Sequence, residues 1–273
     1  MQKLNHCSVA EVLYKMLEAI FLGIIQGLTE FLPISSSAHI RILGEFLPSA
    51  QDPGATFTAI MQIGTELAVL LFFFQQIKEI MRGGKLARLI ILGSIPIFIL
   101  GYLGQEYIRS NFRSLWLIAG TLIGFGILLG YLDYKGKKEK TIDNLNTRDG
   151  IFYGLAQSMA LIPGVSRSGA TIAMGRFLGY RREDALRYSF LLAIPAVLGS
   201  GAYELFNSLS EPTNNFSLPE TFAATITAFL VGYAVIAWLM KFVQTKSFMP
   251  FVIYRIALGA LLLALLASGT ISG

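Results

Sequence analysis

The sequence predicts an all-α polytopic membrane protein: six transmembrane helices plus two opposed re-entrant helical hairpins, arranged as an inverted-topology repeat. Three observations predict it: an apolar composition, a set of long apolar segments, and two broken apolar segments that resemble each other. Of the 273 residues, 54% are hydrophobic and only 14% charged; the mean hydropathy is +0.60. A soluble domain carries about 25% charged residues. Composition also excludes function classes. The single cysteine, Cys7, rules out a disulfide scaffold or a thiolate metal cluster. With only His6 and His39, a multi-histidine metal site is excluded. The net charge of +5 reads as cytoplasmic-loop bias and not as a nucleic-acid-binding surface.

Residues 11–47 are apolar but interrupted by Pro, Gly and Ser, so they read as two short helices around a break. Spans follow at 57–76, 89–104 and 114–132, to be set against a hydrocarbon layer of about 30 Å; the second is short and holds Pro96. Residues 151–180 are broken in the same way, and spans follow at 189–207, 221–241 and 250–270. Gly83, Gly84 and Gly93 read as turn and packing residues. The whole chain, 1–273, reads as one integral membrane domain, with repeat 1 at 11–132 and repeat 2 at 151–270. Broken backbone at membrane depth is tolerated only where protein buries it or where it lines a wet cavity. The breaks therefore mark the expected site.

The two broken segments match at an offset of 131 residues: Gly23 with Gly154, Gln26 with Gln157, Ser35 with Ser166, Ser37 with Ser168, and Gly44, Phe46 and Leu47 with Gly175, Phe177 and Leu178. Three spans per half is an odd number, so the second copy should be inverted. Loop charges agree with that under the positive-inside rule. Lys78, Arg82, Lys85 and Arg88 place 77–88 inside. Lys135, Lys137, Lys138, Lys140 and Arg148 place 133–150 inside, and Lys246 places 242–249 inside. Loop 208–220 carries Glu211 and Glu220 but no Lys or Arg, and falls outside; Arg109 and Arg113 are the exceptions. Both termini then face outside, and the hairpins enter from opposite sides to meet near the midplane, where inverted-repeat transporters bind their substrates.

The first break reads Gln26-Gly-Leu-Thr-Glu30-Phe-Leu-Pro-Ile-Ser35-Ser36-Ser37-Ala-His39, and the second Pro163-Gly-Val-Ser166-Arg167-Ser168-Gly-Ala-Thr171. Gln26 and Glu30 are four apart and share one helix face. An ionisable side chain at membrane depth costs on the order of 2.5–3.5 kcal/mol on insertion scales, so Arg167 needs a partner. A phosphate fits an arginine among hydroxyls and Gly-freed N–H groups; an ion pair with Glu30 across the repeat interface is the alternative and is compatible with it. Glu30 reads as a buried functional acid, and His39 as an acid/base or nucleophile candidate. Among Ser35, Ser36 and Ser37, at least one should cap a helix. Glu66, inside a span, is either functional or a structural partner to a neighbouring polar group. Arginine, hydroxyls and a carboxylate able to hold a hard cation are the equipment of phosphoryl transfer, and a site open to lipid suits a lipid-linked phosphate.

On these two motifs the chain resembles the undecaprenyl-diphosphatase, or bacitracin-resistance protein, family. Its signatures are (Glu/Gln)-x-x-x-Glu followed by Phe-Leu-Pro-x-Ser-Ser and a histidine, here Gln26 to His39, and Pro-Gly-x-Ser-Arg-Ser-x-x-Thr, here Pro163 to Thr171. The resemblance implies hydrolysis of undecaprenyl diphosphate to the monophosphate and inorganic phosphate, recycling the carrier lipid of peptidoglycan synthesis, with bacitracin resistance as a consequence. It implies a divalent cation, Mg2+ or Ca2+, and an active site on the outer face of the bacterial inner membrane. Glu30 would be the metal-linked acid, and Ser36 the favoured nucleophile with His39 as competitor or acid/base partner. Arg167 would clamp the diphosphate with Ser166, Ser168 and Thr171, and Ser35 and Ser37 would add hydroxyls. The first acidic position, often Glu in the family, is Gln26, a neutral ligand or a hydrogen-bonding support. The family gives Glu66 no role. A lipid-phosphate transporter using the same site is the alternative function, and a homodimer is left open.

Overall fold

The computed structural model describes residues 9–47, 55–112, 114–136, 139–210 and 215–272. His6, Cys7, Arg113, Lys137, Lys138 and Glu211 lie outside the described residues, as does the side chain of Arg109. Among the described residues there are eleven α-helices and no strand: Val9–Thr29 (α1), Ser36–Gly44 (α2), Ala55–Phe72 (α3), Phe74–Met81 (α4), Lys85–Asn111 (α5), Leu115–Lys135 (α6), Thr147–Ser158 (α7), Arg167–Phe177 (α8), Arg182–Ser210 (α9), Leu218–Thr245 (α10) and Met249–Ala267 (α11). Six of them, α1, α5, α6, α9, α10 and α11, are long and apolar enough to cross a membrane; α3 and α4, bent by 82° at Phe73, make a seventh if taken as one span. Phe222, Leu230, Trp238, Ile253 and Leu261 on α10 and α11 remain exposed, which suits faces turned to lipid.

Three elements differ from the sequence expectation. The first limb of segment 11–47 is a full 21-residue helix, not a short one. It runs unbroken to Thr29, because Gly23 and Gly27 are contact points and not hinges: a Cβ on Gly23 would stand 2.4 Å from the Ala224 carbonyl oxygen, and one on Gly27 2.7 Å from Val231 Cβ. The 57–76 span bends sharply at Phe73, so that α4 leaves the direction of α3. The short 89–104 span lengthens to the 27 residues of α5 with Pro96 inside it, as helices packed at membrane depth tolerate. Segment 151–180 does form two short helices, α7 and α8, around a break.

Packing pairs α1 with α10, α10 with α3, α3 with α9, α5 with α7 and α9, and α6 with α11; α8 fits between α6, α7 and α9. Small residues set the close approaches. A Cβ on Gly154 of α7 would meet the Gly93 carbonyl oxygen of α5 at 2.3 Å, as Gly23 meets Ala224 between α1 and α10. Both members of the first pair lie 131 residues from a member of the second (154 − 23 and 224 − 93). At the end of the bundle near loop 133–150, buried Asp133 gathers four elements. It accepts from Arg176 Nε of α8 at 3.0 Å, from Arg182 Nε and Nη2 of α9 at 2.7 and 3.0 Å, and from the Phe248 N–H at the start of α11 at 3.1 Å.

Gly154→Val forces backbone apart and not merely a flexible side chain, so it should destabilise by about 1–3 kcal/mol. A lowered melting temperature of the detergent-purified protein checks this; an unchanged one contradicts the α5–α7 contact.

Candidate active site

Each break places a serine in a conformation that serine rarely adopts. Ser35 has φ 73° and Ser166 φ 71°, and they are the non-glycine residues with positive φ among the described residues. Such backbone costs on the order of 1–3 kcal/mol and persists only where surroundings hold it. The two serines are 131 apart (166 − 35), and each immediately precedes a short helix, α2 or α8. Each also contacts the hydroxyl two residues on, Ser35 to Ser37 at 3.3 Å and Ser166 to Ser168 at 3.1 Å. Ser166 Oγ caps α8 by accepting the Gly169 N–H at 3.1 Å. Helix N-termini so arranged present free N–H groups and favour anions.

Arg255 holds both breaks in place. It is fully buried on α11 and donates to the Pro33 carbonyl of the first break at 3.1 Å and to the Gly164 and Val165 carbonyls of the second at 2.8 and 3.0 Å. Ser168 adds a second stitch, its hydroxyl donating to the Leu32 carbonyl at 3.1 Å. Carbonyls freed by non-helical backbone at membrane depth need such donors. Sequence reasoning missed Arg255, although the signal was there: an ionisable residue inside the apolar segment 250–270.

At the junction the charged groups form a chain. Arg167 Nη2 donates to Glu30 Oε1 at 2.8 Å. Glu30 Oε2 accepts from Ser36 Oγ at 2.5 Å and from Gln26 Nε2 at 2.8 Å. The ion pair with Glu30, raised as the alternative partner of Arg167, is present. Glu66 lies on the far side of the guanidinium, its Oε2 3.8 Å from Arg167 Nη1. This chain borders a cavity of about 550 Å³ with a polar floor of Glu30, Ser35, Ser36, Ser37, Ser166 and Arg167. Its flank is largely apolar, with Ile97, Phe98 and Tyr102 of α5 and Ala196, Val197 and Tyr203 of α9.

Several sequence-nominated residues sit behind that floor. Gln26 is fully buried and touches the cavity chemistry only through Glu30. Thr171 is buried and donates to the Arg167 carbonyl at 2.8 Å, with Ser189 Oγ at 2.5 Å, so it props the start of α8. His39 has both ring nitrogens engaged, Nδ1 with the Ser35 carbonyl and Nε2 with the Tyr254 hydroxyl, each at 2.7 Å. A carbonyl can only accept, so Nδ1 carries a proton; His39 thereby holds the strained Ser35 and stacks on Tyr254.

The donor set suits a hard cation. Gln26 Oε1 is buried with no hydrogen-bond partner, because the amide donates its N–H to Glu30. An orphaned amide oxygen on a residue that contacts Glu30, whose carboxylate also meets the Ser36 hydroxyl, belongs to the oxygen ligand types that Mg2+ and Ca2+ take. Among the described residues no cluster of three or more His, Cys, Asp or Glu exists, so neutral oxygens would have to complete such a set.

A protein-family model described as bacitracin resistance protein BacA matches residues 19–261, which hold both breaks and Arg255. The chain belongs to this family. Among its curated relatives, the undecaprenyl-diphosphatase of Micrococcus luteus is 55% identical, the alignment covering 94% of this chain and 99% of the relative. That of Pseudarthrobacter chlorophenolicus is 53% identical over 93% and 98%. Undecaprenyl-diphosphatase 2 of Agrobacterium fabrum is 55% identical over 94% and 97%. Within the family fold, Arg255 acts through the backbone it holds. Arg255→Met should leave the Pro33, Gly164 and Val165 carbonyls unpaired, at about 1–3 kcal/mol for each such group. A large fall in melting temperature is expected; wild-type stability would contradict the clamp.

Proposed function

We propose that this chain hydrolyses undecaprenyl diphosphate to undecaprenyl phosphate and inorganic phosphate, recycling the carrier lipid for peptidoglycan synthesis and thereby conferring bacitracin resistance. The names of the relatives support the activity. The observation that carries the mechanism is a serine hydroxyl 2.5 Å from a carboxylate oxygen whose partner oxygen holds an arginine, on the floor of a cavity with an apolar flank. The prenyl chain would lie along α5 and α9, and the diphosphate would reach Arg167 and the N-termini of α2 and α8.

In this reading Arg167 leaves Glu30 for the diphosphate and stabilises the charge that develops on it. Ser36 Oγ attacks the terminal phosphorus as Glu30 takes its proton. The P–O–P bond breaks and undecaprenyl phosphate leaves. Water then attacks the phosphoserine, Ser36 regains a proton, and inorganic phosphate is released. Ser35, Ser37 and Ser166 supply hydroxyls to the phosphate oxygens, whereas Ser168 and Thr171 position the loop that presents Arg167. His39 is a positioning residue, since Tyr254 already occupies its Nε2. A divalent cation, Mg2+ or Ca2+, held by Glu30 and Gln26 would neutralise phosphate charge.

We further read the molecule as an inverted-topology repeat in the bacterial inner membrane, with its termini and site facing the exterior. The 131-residue spacing of Ser35 and Ser166, and of the Gly23–Ala224 and Gly93–Gly154 contacts, supports the repeat. The transporter alternative has no support from the relatives' names and leaves the Ser36–Glu30 pair without a use.

Phosphate release from farnesyl diphosphate by purified protein tests the reaction. Arg167→Ala and Ser36→Ala should each lower kcat by about 10²–10³ or more, while His39→Gln should retain measurable turnover. Loss in His39→Gln together with near-wild-type Ser36→Ala moves the nucleophile to the imidazole; magnesium-dependent release surviving in Arg167→Ala refutes the phosphate clamp. The orientation has its own check. A topology reporter in loop 208–220 should be exported, and a cytoplasmic signal would reverse the assignment.

A further inference from the structure

Glu66 is the charged group that the mechanism leaves unused. It lies on α3 one turn beyond Gln62, which lines the cavity. It is fully buried, and neither carboxylate oxygen has a hydrogen-bond partner. Its charge contact is Arg167 Nη1 at 3.8 Å, and that nitrogen also makes no hydrogen bond. A buried carboxylate without hydrogen bonds is costly unless something else neutralises it. Here a single guanidinium serves both Glu66 and Glu30. When Arg167 engages a phosphate, the two carboxylates lose the guanidinium that both face. Gln26, whose amide N–H bonds Glu30, carries a further buried oxygen without a hydrogen-bond partner.

We propose that Glu66 is the second carboxylate ligand of the divalent-cation site, completing an oxygen set with Glu30 and Gln26 Oε1 and compensating from α3 for the neutral amide at position 26. A cation held there would give a partner to three buried oxygens that have no hydrogen bond, two on Glu66 of α3 and one on Gln26 of α1. A hard dication takes such carboxylate and amide oxygens, and its affinity follows the number of charged ligands. In the substrate-free state Arg167 occupies the place between the acids, so cation and arginine exchange roles as the diphosphate arrives. This inference rests on the cation-assisted phosphatase reading.

The test titrates Ca2+ or Mg2+ alone into the detergent-purified full-length protein and follows the cation-dependent rise in melting temperature. Glu66→Gln should raise the half-saturating cation concentration about tenfold or more, with melting in chelator little changed. Gln26→Glu/Glu66→Gln, which moves the carboxylate from α3 to α1, should return it most of the way to the wild-type value. Wild-type cation affinity in Glu66→Gln overturns the proposal, and if melting in chelator falls at the same time, Glu66 is only a structural partner of Arg167. Should Glu66→Gln fail to fold, Glu66→Asp keeps the charge on a shorter arm; weakened affinity there supports the proposal and unchanged affinity overturns it. No cation response in the wild type removes the cation site as a whole, and phosphate release from farnesyl diphosphate in chelator reads separately whether the phosphatase stands without it.

Discussion

Two interruptions of helix inside an apolar bundle have to be satisfied, and the hydrogen bonds of Arg255 are what allows both to exist side by side. Its guanidinium reaches carbonyls of the first break and of the second from a single position on α11. Among the described residues the arginine makes no ion pair; its charge is spread over carbonyl dipoles, those of Pro33, Gly164 and Val165 being freed by the breaks. Everything at the junction follows from that fastening. Ser35 and Ser166 are held at positive φ, α2 and α8 begin where they do, and their N-termini open onto one cavity.

The second layer of the site is a charge chain whose members need each other. Arg167 is tolerable at depth because Glu30 takes one nitrogen and Glu66 stands near the other. Glu30 is tolerable because Ser36, Gln26 and Arg167 all donate to it. Such a network is poised rather than inert. In the proposed reaction an incoming phosphate would compete for Arg167, and the groups left without the arginine would be those able to take a proton or a cation. The apolar flank of α5 and α9 borders the same cavity, so in that reading head group and prenyl chain would share one opening.

Legibility of the site varied with how local its cause was. Glu30, Ser36 and Arg167 could be nominated because a costly polar residue in an apolar run announces itself, and the two motifs carry a family signature. An ion pair of Arg167 with Glu30 stood as the alternative to a phosphate partner; the Ser36–Glu30 hydrogen bond was not foreseen. The individual roles were not legible. Thr171 and Ser168 carry hydroxyls like those on the cavity floor, yet they turn to Arg167 and Leu32 carbonyls. His39 looks free in sequence and is engaged at both nitrogens, because Tyr254 lies 215 residues away and only packing brings them together. Arg255 was passed over inside an otherwise ordinary span, since its partners lie in two distant segments.

By itself the sequence determined the membrane class, the positions of the two breaks and the chemistry gathered at them, because composition, Pro and Gly placement and buried charge act locally. The tertiary structure decided which of those groups meet. It kept α1 unbroken by using its glycines as contact points against α10, bent the first expected span at Phe73, and carried Pro96 inside a longer helix. It also set Glu66 beside Arg167 and a second arginine behind both breaks. These outcomes depend on which helices neighbour one another, and the energy of an unpaired carbonyl or carboxylate is decided by whatever group the fold brings within reach.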